Sequence, residues 1–345
     1  MLSLGEEGLA YQSDTARKDN SNADKSKYLR VAIGDIAYNT MRMWQGRCVY
    51  ANIEGIVSPA YTVCKPNEGI DSEFHYYLFK TYRMISIFHQ NSQGLVSDTL
   101  NLKYQAFAKI KYLLPPTPAE QEKIASCLKA MDELIALQGQ KVEALKERKR
   151  GLMQQLFPQP GETTPRLRFP GFTADWQEEK AMDICTTVAP PLKLQSKDYL
   201  LEGKYPIVDQ SQTLICGWTN EEAGLISKSP VIIFGDHTCA LKFIDFPFVQ
   251  GADGVKILSV KKDYNAQYVF QAFSANPVKQ DGYKRHFSDF KEKVFMLATD
   301  PAEQEKIAEC LSEMDSLITS EAAKLEALQA HKRGLMQQLF PQPSK

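Results

Sequence analysis

The sequence predicts an α+β protein: two mixed α/β globular domains joined by two long antiparallel coiled-coil helices. Three observations carry this reading. A long block of the chain occurs twice without a gap, each copy has helix-start and helix-stop chemistry at its ends, and the residues outside the copies alternate as short strands do. Ala119–Ala125 (AEQEKIA) returns at Ala302–Ala308, and Gly151–Pro160 (GLMQQLFPQP) returns at Gly334–Pro343. The offset is 183 for both strings (302 minus 119, 334 minus 151), and roughly two-thirds of the positions between them are identical.

Each copy reads as one helix. Thr117-Pro-Ala-Glu120 supplies an N-cap hydroxyl, a proline at the first helical position and a glutamate at the third; Asp300-Pro-Ala-Glu303 repeats this with an aspartate cap. Pro158 and Pro341 end the helices, since proline has no N–H and clashes with the preceding turn. The apolar positions step by four and three: Ile124, Leu128, Met131, Ile135, Val142, Leu145, Leu152 and Leu156, then Ile307, Leu311, Met314, Ile318, Leu325, Leu328, Leu335 and Leu339. Polar residues interrupt this heptad seam at equivalent places, Gln138 and Lys149 in the first copy and Glu321 and Lys332 in the second. With the helices antiparallel and their ends flush, Gln138 is expected beside Glu321, Ile124 near Leu335, and Leu156 near Ile307.

Four segments follow: globular residues 1–116, a spacer helix over 117–160, globular residues 161–299, and a second spacer helix over 300–345. In the first, 11–27 reads as a polar loop, Val31–Asn39 as strand–turn–strand, Gly46–Tyr50 and Ala60–Cys64 as strands, and Phe74–Phe88 as helical. In the second, Tyr205–Val208, Val231–Asp236, Phe243–Val249 and Gly254–Val260 read as strands and Ala266–Phe273 as a helix. The surroundings of Gly34-Asp35 look like those of Gly235-Asp236, and Gly55 falls where Gly251 falls. Ninety residues separate Gly161 from Gly251 (251 minus 161), against 54 before Gly55. The first domain is therefore expected to lack roughly 35 to 40 residues at its front.

Composition excludes several classes. The formal charge is −1, and no apolar run approaches a membrane span. Seven cysteines without a C-x-x-C pair argue against zinc ribbons and disulfide scaffolds, so a cytoplasmic protein without a metal site is expected. Cys127 and Cys310, at equivalent helix positions, read as small reduced apolar residues. No P-loop is present. Ser58-Pro-Ala-Tyr61 lacks the amide and second proline of an adenine methyltransferase motif, and Asp289-Phe-Lys291 lacks the upstream partner of a nuclease site. No catalytic residue is assigned. Asp236-His237 has no further ligand at metal-binding spacing.

Charge does not mark either globular segment as a basic module: residues 1–118 carry 13 Lys/Arg against 11 Asp/Glu, and residues 161–301 carry 16 against 18. Positive charge is local, in Arg42 and Arg47 and in Lys284-Arg285-His286. Amide and hydroxyl side chains suited to base edges stand in polar turns, at Asn39, Gln210, Gln212, His237 and Thr238, with Lys242 close by in sequence. Together these are the candidate nucleic-acid contacts.

The twin Pro-Ala-Glu-Gln-Glu-Lys-Ile-Ala starts, the twin Leu-Met-Gln-Gln-Leu-Phe ends, Leu167-Arg-Phe-Pro-Gly-Phe172 with Trp176, Tyr205–Asp209, Ile233–Thr238 and Gly282–Phe287 occur in an order that resembles the DNA specificity subunits of type I restriction–modification systems. The first domain departs from the pattern in having no Arg-Phe-Pro…Trp opening of its own. The resemblance implies two target-recognition domains, each reading half of a bipartite site on double-stranded DNA, and a helical spacer on which methyltransferase subunits, expected as two, and restriction/translocase subunits assemble. S-adenosylmethionine, ATP and Mg are then expected on those partners and no cofactor in this chain. Glu120, Gln121 and Lys123, with their equivalents Glu303, Gln304 and Lys306, are the candidate partner contacts. A stand-alone or remnant DNA-binding regulator, and a coiled-coil scaffold that does not bind DNA, are the alternatives.

Overall fold

The computed structural model describes residues 1–5, 8–14, 24–96, 99–282 and 284–340. The chain forms two compact units, one from residues 1–139 with 323 onward and one from residues 140–322. Each long helix passes through both.

Unit 1 begins with the antiparallel pair β1 (Leu2–Gly5) and β2 (Gly8–Tyr11). Then come β3 (Leu29–Val31), β4 (Ile36–Asn39), β5 (Cys48–Tyr50), β6 (Gly55–Val57) and β7 (Tyr61–Cys64). They make a three-stranded sheet in the order β5-β4-β7 and the pair β3-β6. Helix α1 (Ser72–Phe79) is capped by Asp71, whose Oδ1 accepts from Phe74 N at 2.6 Å; α2 (Tyr82–Asn91) and the short α3 (Tyr104–Phe107) follow. The first long helix, α4, runs Pro118–Leu156.

Unit 2 contains β8 (Trp176–Lys180), α5 (Ala181–Ile184), β9 (Cys185–Val188), β10 (Tyr205–Val208), β11 (Gly217–Thr219), β12 (Leu225–Ile226), β13 (Val231–Gly235), β14 (Leu241–Ile244), β15 (Phe248–Gln250) and β16 (Val255–Val260). Next come α6 (Ala266–Ala275), α7 (Phe287–Glu292), β17 (Val294–Ala298) and the second long helix, α8 (Pro301–Leu339). The sheets are β14-β13-β16-β9, β11-β10-β15-β12 and β17-β8. Every residue of β13 is buried, as its unbroken Val-Ile-Ile-Phe run and its two antiparallel neighbours require.

The two units share one plan. Strand β4 pairs with β5 and β7 as β13 pairs with β14 and β16, and β3-β6 matches β12-β15. Ring pairs repeat as well. Tyr38–Phe107 at 5.1 Å matches Phe234–Phe290 at 4.6 Å, and Phe74–Phe340 at 5.3 Å matches Tyr268–Phe157 at 5.5 Å.

The long helices run antiparallel, and each unit shows it by itself. In unit 1 the start of α4 (Ile124, Leu128) shares a core with the end of α8 (Leu335, Leu339, Phe340). In unit 2 the end of α4 (Leu152, Leu156) shares a core with the start of α8 (Ile307, Leu311). Every predicted seam position is buried or half-buried. One polar interruption has a clear role. Lys332 pairs with Asp132 in unit 1, and its equivalent Lys149 pairs with Asp315 at 2.7 Å in unit 2. The two aspartates are also equivalent, so a single interaction is made twice. Each aspartate is held from its own globular part, Asp132 by Tyr77 Oη at 2.8 Å and Asp315 by Gln271 Nε2 at 3.2 Å. Of the other interruptions, Glu321 is 4% exposed and pairs with Lys141 at 3.0 Å.

Some expectations change. The polar 11–27 loop lies largely outside the described residues, although β2 ends at Tyr11 and Gln12–Asp14 form a 3₁₀ turn. The predicted Phe243–Val249 strand is two strands, β14 and β15, separated at Asp245–Pro247, where proline withholds a ladder donor. Cys127, expected as a small apolar residue, is exposed, because it sits one position before Leu128 on the turning helix, while its equivalent Cys310 is half-buried. The sheet register also corrects the internal alignment. Gly235-Asp236 ends β13, and its counterpart is Asn39-Thr40 at the end of β4, while Gly34-Asp35 precedes β4. Gly55 opens β6, whereas Gly251 follows the matching β15.

Asp132→Asn or Asp315→Asn should each cost about 1 kcal/mol in urea unfolding, a modest figure because the carboxylates are half-exposed. His75 is buried, and burial pulls its pKa below the ordinary histidine value against the opposing Asp71 carbonyl. The unfolded chain takes up this proton near the ordinary value and the folded chain does not, so stability should fall as pH drops below about 6.5. Replacing His75 with valine, the residue at the equivalent Val269, should remove that contribution from urea midpoints measured between pH 7.5 and 5.5.

Candidate nucleic-acid interface

In unit 2 the β13–β14 turn, the loop after β10 and the loop before α7 converge. The turn closes through Gly235 N to Ala240 O and Cys239 N to Gly235 O, both 2.8 Å. A Cβ on Gly235 would lie 2.3 Å from Thr238 Oγ1, so glycine is needed for that hydroxyl to fold back and donate to Gln210 O at 2.5 Å. Gln210 ties the loops together. Its Oε1 accepts from His237 N at 3.2 Å, and its Nε2 donates to Asp253 O at 3.1 Å. Gly254, at φ +84°, leaves the space this side chain occupies.

The third loop joins through the same turn. Gln280 Nε2 donates to His237 O at 3.0 Å, and His237 Nδ1 donates to Lys284 O at 3.2 Å. Buried Asp236 receives His286 N at its carbonyl (2.7 Å) and Phe287 N at Oδ1 (2.9 Å), which fixes the start of α7. Asp289 of α7 lies 3.5 Å from Lys284 Nζ.

These contacts sort the sequence candidates. Lys242 is 5% exposed and donates to Asp209 O at 2.8 Å and Thr213 O at 2.5 Å, so it supports the 209–213 loop from beneath. Burial pulls its ammonium below the ordinary lysine value, with the Asp209 carboxylate opposing. Burial works against ionisation of Asp209, yet hydrogen bonds from Ser211 and the nearby Lys242 hold its carboxyl below the ordinary range. His286 is fully buried. Gln212, Lys284 and Arg285 are exposed, and His237 and Thr238 are half-buried on the turn. Sequence reasoning missed the supporting residues Asp209, Gln280 and Tyr199, whose Oη accepts from Ala252 N at 2.8 Å. Nothing in their local sequence signals these long-range bonds.

In unit 1 the matching turn joins β4 to β5. Asn39 Oδ1 accepts from Met41 N at 3.0 Å, starting the turn, and Asn39 N donates to Arg47 O at 3.2 Å, closing it. Met43 plugs the core, Trp44 Nε1 donates to Met41 O at 2.9 Å, and Gly46 at φ +73° ends the short 3₁₀ turn. Arg42 and Arg47 remain exposed. The Arg42–Arg47 and His237–Thr238 candidates, chosen separately from the sequence, thus occupy the same topological position.

The candidate partner contacts also divide. Gln121 and Gln304 are buried, and their Oε1 atoms accept from Asp71 N at 3.3 Å and Asn265 N at 2.9 Å, the N-cap residues of α1 and α6. Glu303, 1% exposed, binds Arg168 through two hydrogen bonds at 2.7 and 2.8 Å. Glu120, Lys123 and Lys306 are exposed. Among the described residues no His/Cys/Asp/Glu group could hold a metal ion, and no helix is long and apolar enough to cross a membrane.

Residues 11–147 match the model of the type I restriction modification DNA specificity domain. The chain is thus similar, over this stretch, to the type I DNA specificity family. It is 31% identical over 107 residues to a type I restriction enzyme specificity subunit of Escherichia coli, a match covering 29% of this chain and 26% of that protein. It is 22% identical over 356 residues to a protein described as the type I restriction enzyme MjaX specificity subunit of Methanocaldococcus jannaschii, covering 94% of this chain and 81% of that one. The fold is similar to the type I system S subunit from M. genitalium, with TM-score 0.61, 15% identity and coverage of 90% and 84%. It is also similar to a chain from a structure of a type I R-M complex, with TM-score 0.54, 15% identity and coverage of 92% and 84%. The family is the DNA-recognition component of these systems and is non-catalytic.

Gln210→Ala should leave the fold intact yet speed amide hydrogen exchange across His237–Ala240, because it cuts one of the ties on the turn. Lys242→Met should cost about 1–3 kcal/mol in urea unfolding, since it leaves the Asp209 and Thr213 carbonyls without their donor.

Proposed function

We propose that this chain is the sequence-specific DNA-recognition subunit of a type I restriction–modification complex, acting in the cytoplasm. Each unit reads one half of a bipartite site on double-stranded DNA, and the paired long helices set the spacing between the halves. The observation that carries this reading is the repeated position of the polar turn, after β4 in unit 1 and after β13 in unit 2, each presented by a buried central strand. In unit 1, Asn39, Arg42 and Arg47 are the reading and phosphate-binding candidates. In unit 2 they are Gln212, His237 and Thr238, with Lys284 and Arg285 on the adjoining loop. Gln210, Lys242 and His286 act beneath this surface.

Two methyltransferase subunits are proposed to dock on the equivalent exposed positions Lys123 and Lys306, together with Glu120, and restriction/translocase subunits to join them. S-adenosylmethionine, ATP and Mg belong to those partners in this reading. The chain supplies the recognition and the frame.

The test is co-expression with the partner methyltransferase, followed by mapping of methylated adenines and measurement of DNA affinity against salt. A bipartite methylated motif is expected. Lys284→Ala with Arg285→Ala should weaken binding across all sequences and lower the log–log salt slope by about one per lost phosphate contact. Binding and methylation that do not change with DNA sequence would defeat the proposal. Lys123→Glu with Lys306→Glu should weaken methyltransferase pull-down while the isolated chain keeps its unfolding midpoint.

A further inference from the structure

Equivalent landmarks bracket one segment in each unit, and the two segments differ in length. In unit 1 the segment runs from Asp71, the cap of α1, to Lys103, which precedes α3; in unit 2 it runs from Asn265, the cap of α6, to His286, which precedes α7. The caps are matched by the equivalent glutamines Gln121 and Gln304 that bind them, and the starts of α3 and α7 differ by the 183-residue offset (287 minus 104). The span is 32 residues in unit 1 (103 minus 71) and 21 in unit 2 (286 minus 265), so unit 1 has 11 more. The extra length accommodates the ten-residue helix α2, whereas no helix stands between α6 and α7 among the described residues.

Helix α2 lies along the β4–β5 turn. A Cβ on Gly46 would stand 3.0 Å from Ile85 Cδ1, and the Trp44 and His89 rings meet edge to face at 5.7 Å. Past the helix, Gln93 N donates to Asn101 O at 2.9 Å, Asn101 N donates back to Gln93 O at 2.8 Å, and Leu102 N donates to Thr40 O at 2.8 Å. The turn and the helix therefore run side by side in opposite directions, with Arg42 and Arg47 along that run. Met84 and Phe88, one helical turn apart, are buried and fix the side that faces the core. Gln90 is about 200° round the helix from Phe88, and Gln93 follows it by three residues. Both are exposed, and their side-chain amides make no hydrogen bond among the described residues.

The charge of this surface has one sign. Residues 39–47 and 80–96 are 26 positions (9 plus 17) that hold Arg42, Arg47, Lys80 and Arg83 and no Asp or Glu; at the average of 42 in 345, about three carboxylates would fall there. A helix face that is merely solvated carries both signs, as α4 does with Glu143 and Lys146. The shorter segment of unit 2 is also basic, with Lys279, Lys284 and Arg285 against Asp281, and it meets its own turn through Gln280. We infer that α2 is a second DNA-reading element of unit 1, lying in the major groove with Gln90 and Gln93 on base edges while Arg42 and Arg47 hold the flanking phosphates. This rests on the proposed DNA-recognition role and adds residues that set the sequence read. The major groove admits a helix, and a glutamine amide meets adenine at two points, N6 and N7.

The test uses the full chain co-expressed with the methyltransferase, a randomised library of duplex DNA as probe, and sequencing of the bound fraction. The unaltered complex is expected to select a two-part motif. Gln90→Ala and Gln93→Ala should each lower the preference for adenine at one position about tenfold. Both positions should lie in the same half of the motif, with the other half and the urea midpoint unchanged. Gln90→Glu should move the preference at its position from adenine to cytosine, whose N4 amine needs an acceptor; a structural role for Gln90 would not produce that switch. Selection of no motif overturns the proposed function and this inference together. A two-part motif that both alanine variants keep unchanged overturns the inference alone. So does an equal loss of binding on all sequences, which would put α2 on phosphates and not on bases.

Discussion

A lysine near the end of each long helix closes on an aspartate near the start of the other, and the globular parts hang on that pair. Lys332 meets Asp132, and Lys149 meets Asp315. Each aspartate is gripped from its own domain as well, by Tyr77 or by Gln271. Burial, and next the Asp132 hydrogen bond, hold the Tyr77 phenol well above its ordinary value, so it stays a donor. The buried glutamines of the helix starts add a second tie, from Gln121 to the α1 cap and from Gln304 to the α6 cap. A narrow heptad seam would allow a helix to slide by a turn. A charged pair required at one level, and linked to a globular domain, penalises that slip because it would leave a half-buried charge without its partner.

On this frame the two halves diverge where they would read DNA. The strands beneath the turns are equivalent, but the turns are built differently. Unit 1 uses an asparagine-started loop with a buried methionine and an indole folded back on the backbone. Unit 2 uses a tight glycine-dependent turn knitted to two other loops by Gln210 and Asp236. Constant strands with variable turns allow a surface to change without loss of the core, as divergent recognition requires. In the proposed function, the near-neutral charge of both halves leaves base contacts to this chain and more of the phosphate attraction to the proposed partners.

The same comparison explains how residues alike in sequence take different roles. Glu303 is buried under Arg168, while the identical Glu120 faces solvent. Phe157 and Phe340 both pack on the matching ring of their own unit, Tyr268 and Phe74, but Phe157 also meets Trp176 at 6.2 Å. Identity in a repeat therefore does not by itself identify a shared external partner. Gln121 and Gln304 are identical because both receive a helix-cap amide from their own domain.

The sequence by itself determined the two helices, their caps and their seam, while their antiparallel direction was implied by the resemblance and is shown by the cores they share. Helices, caps and seam depend on local propensity and on a period that any one copy displays, and the duplication states them twice. The sequence also determined about half of the strands, among them the central β4 and β13, and the two regions that carry polar turns. Tertiary structure alone decided the rest. Lys242 and His286 look like surface contacts in a polar stretch, and only the folding of β14 and α7 against neighbouring loops buries them. Gln210 looks like a base reader, yet its amide is engaged by His237 and Asp253, partners 27 and 43 residues away. The correspondence of Asn39 with Gly235 came from strand register, since the turns share no sequence and only backbone hydrogen bonds record the equivalence. Local chemistry is written in a few adjacent residues, whereas burial and pairing depend on what the distant chain brings alongside.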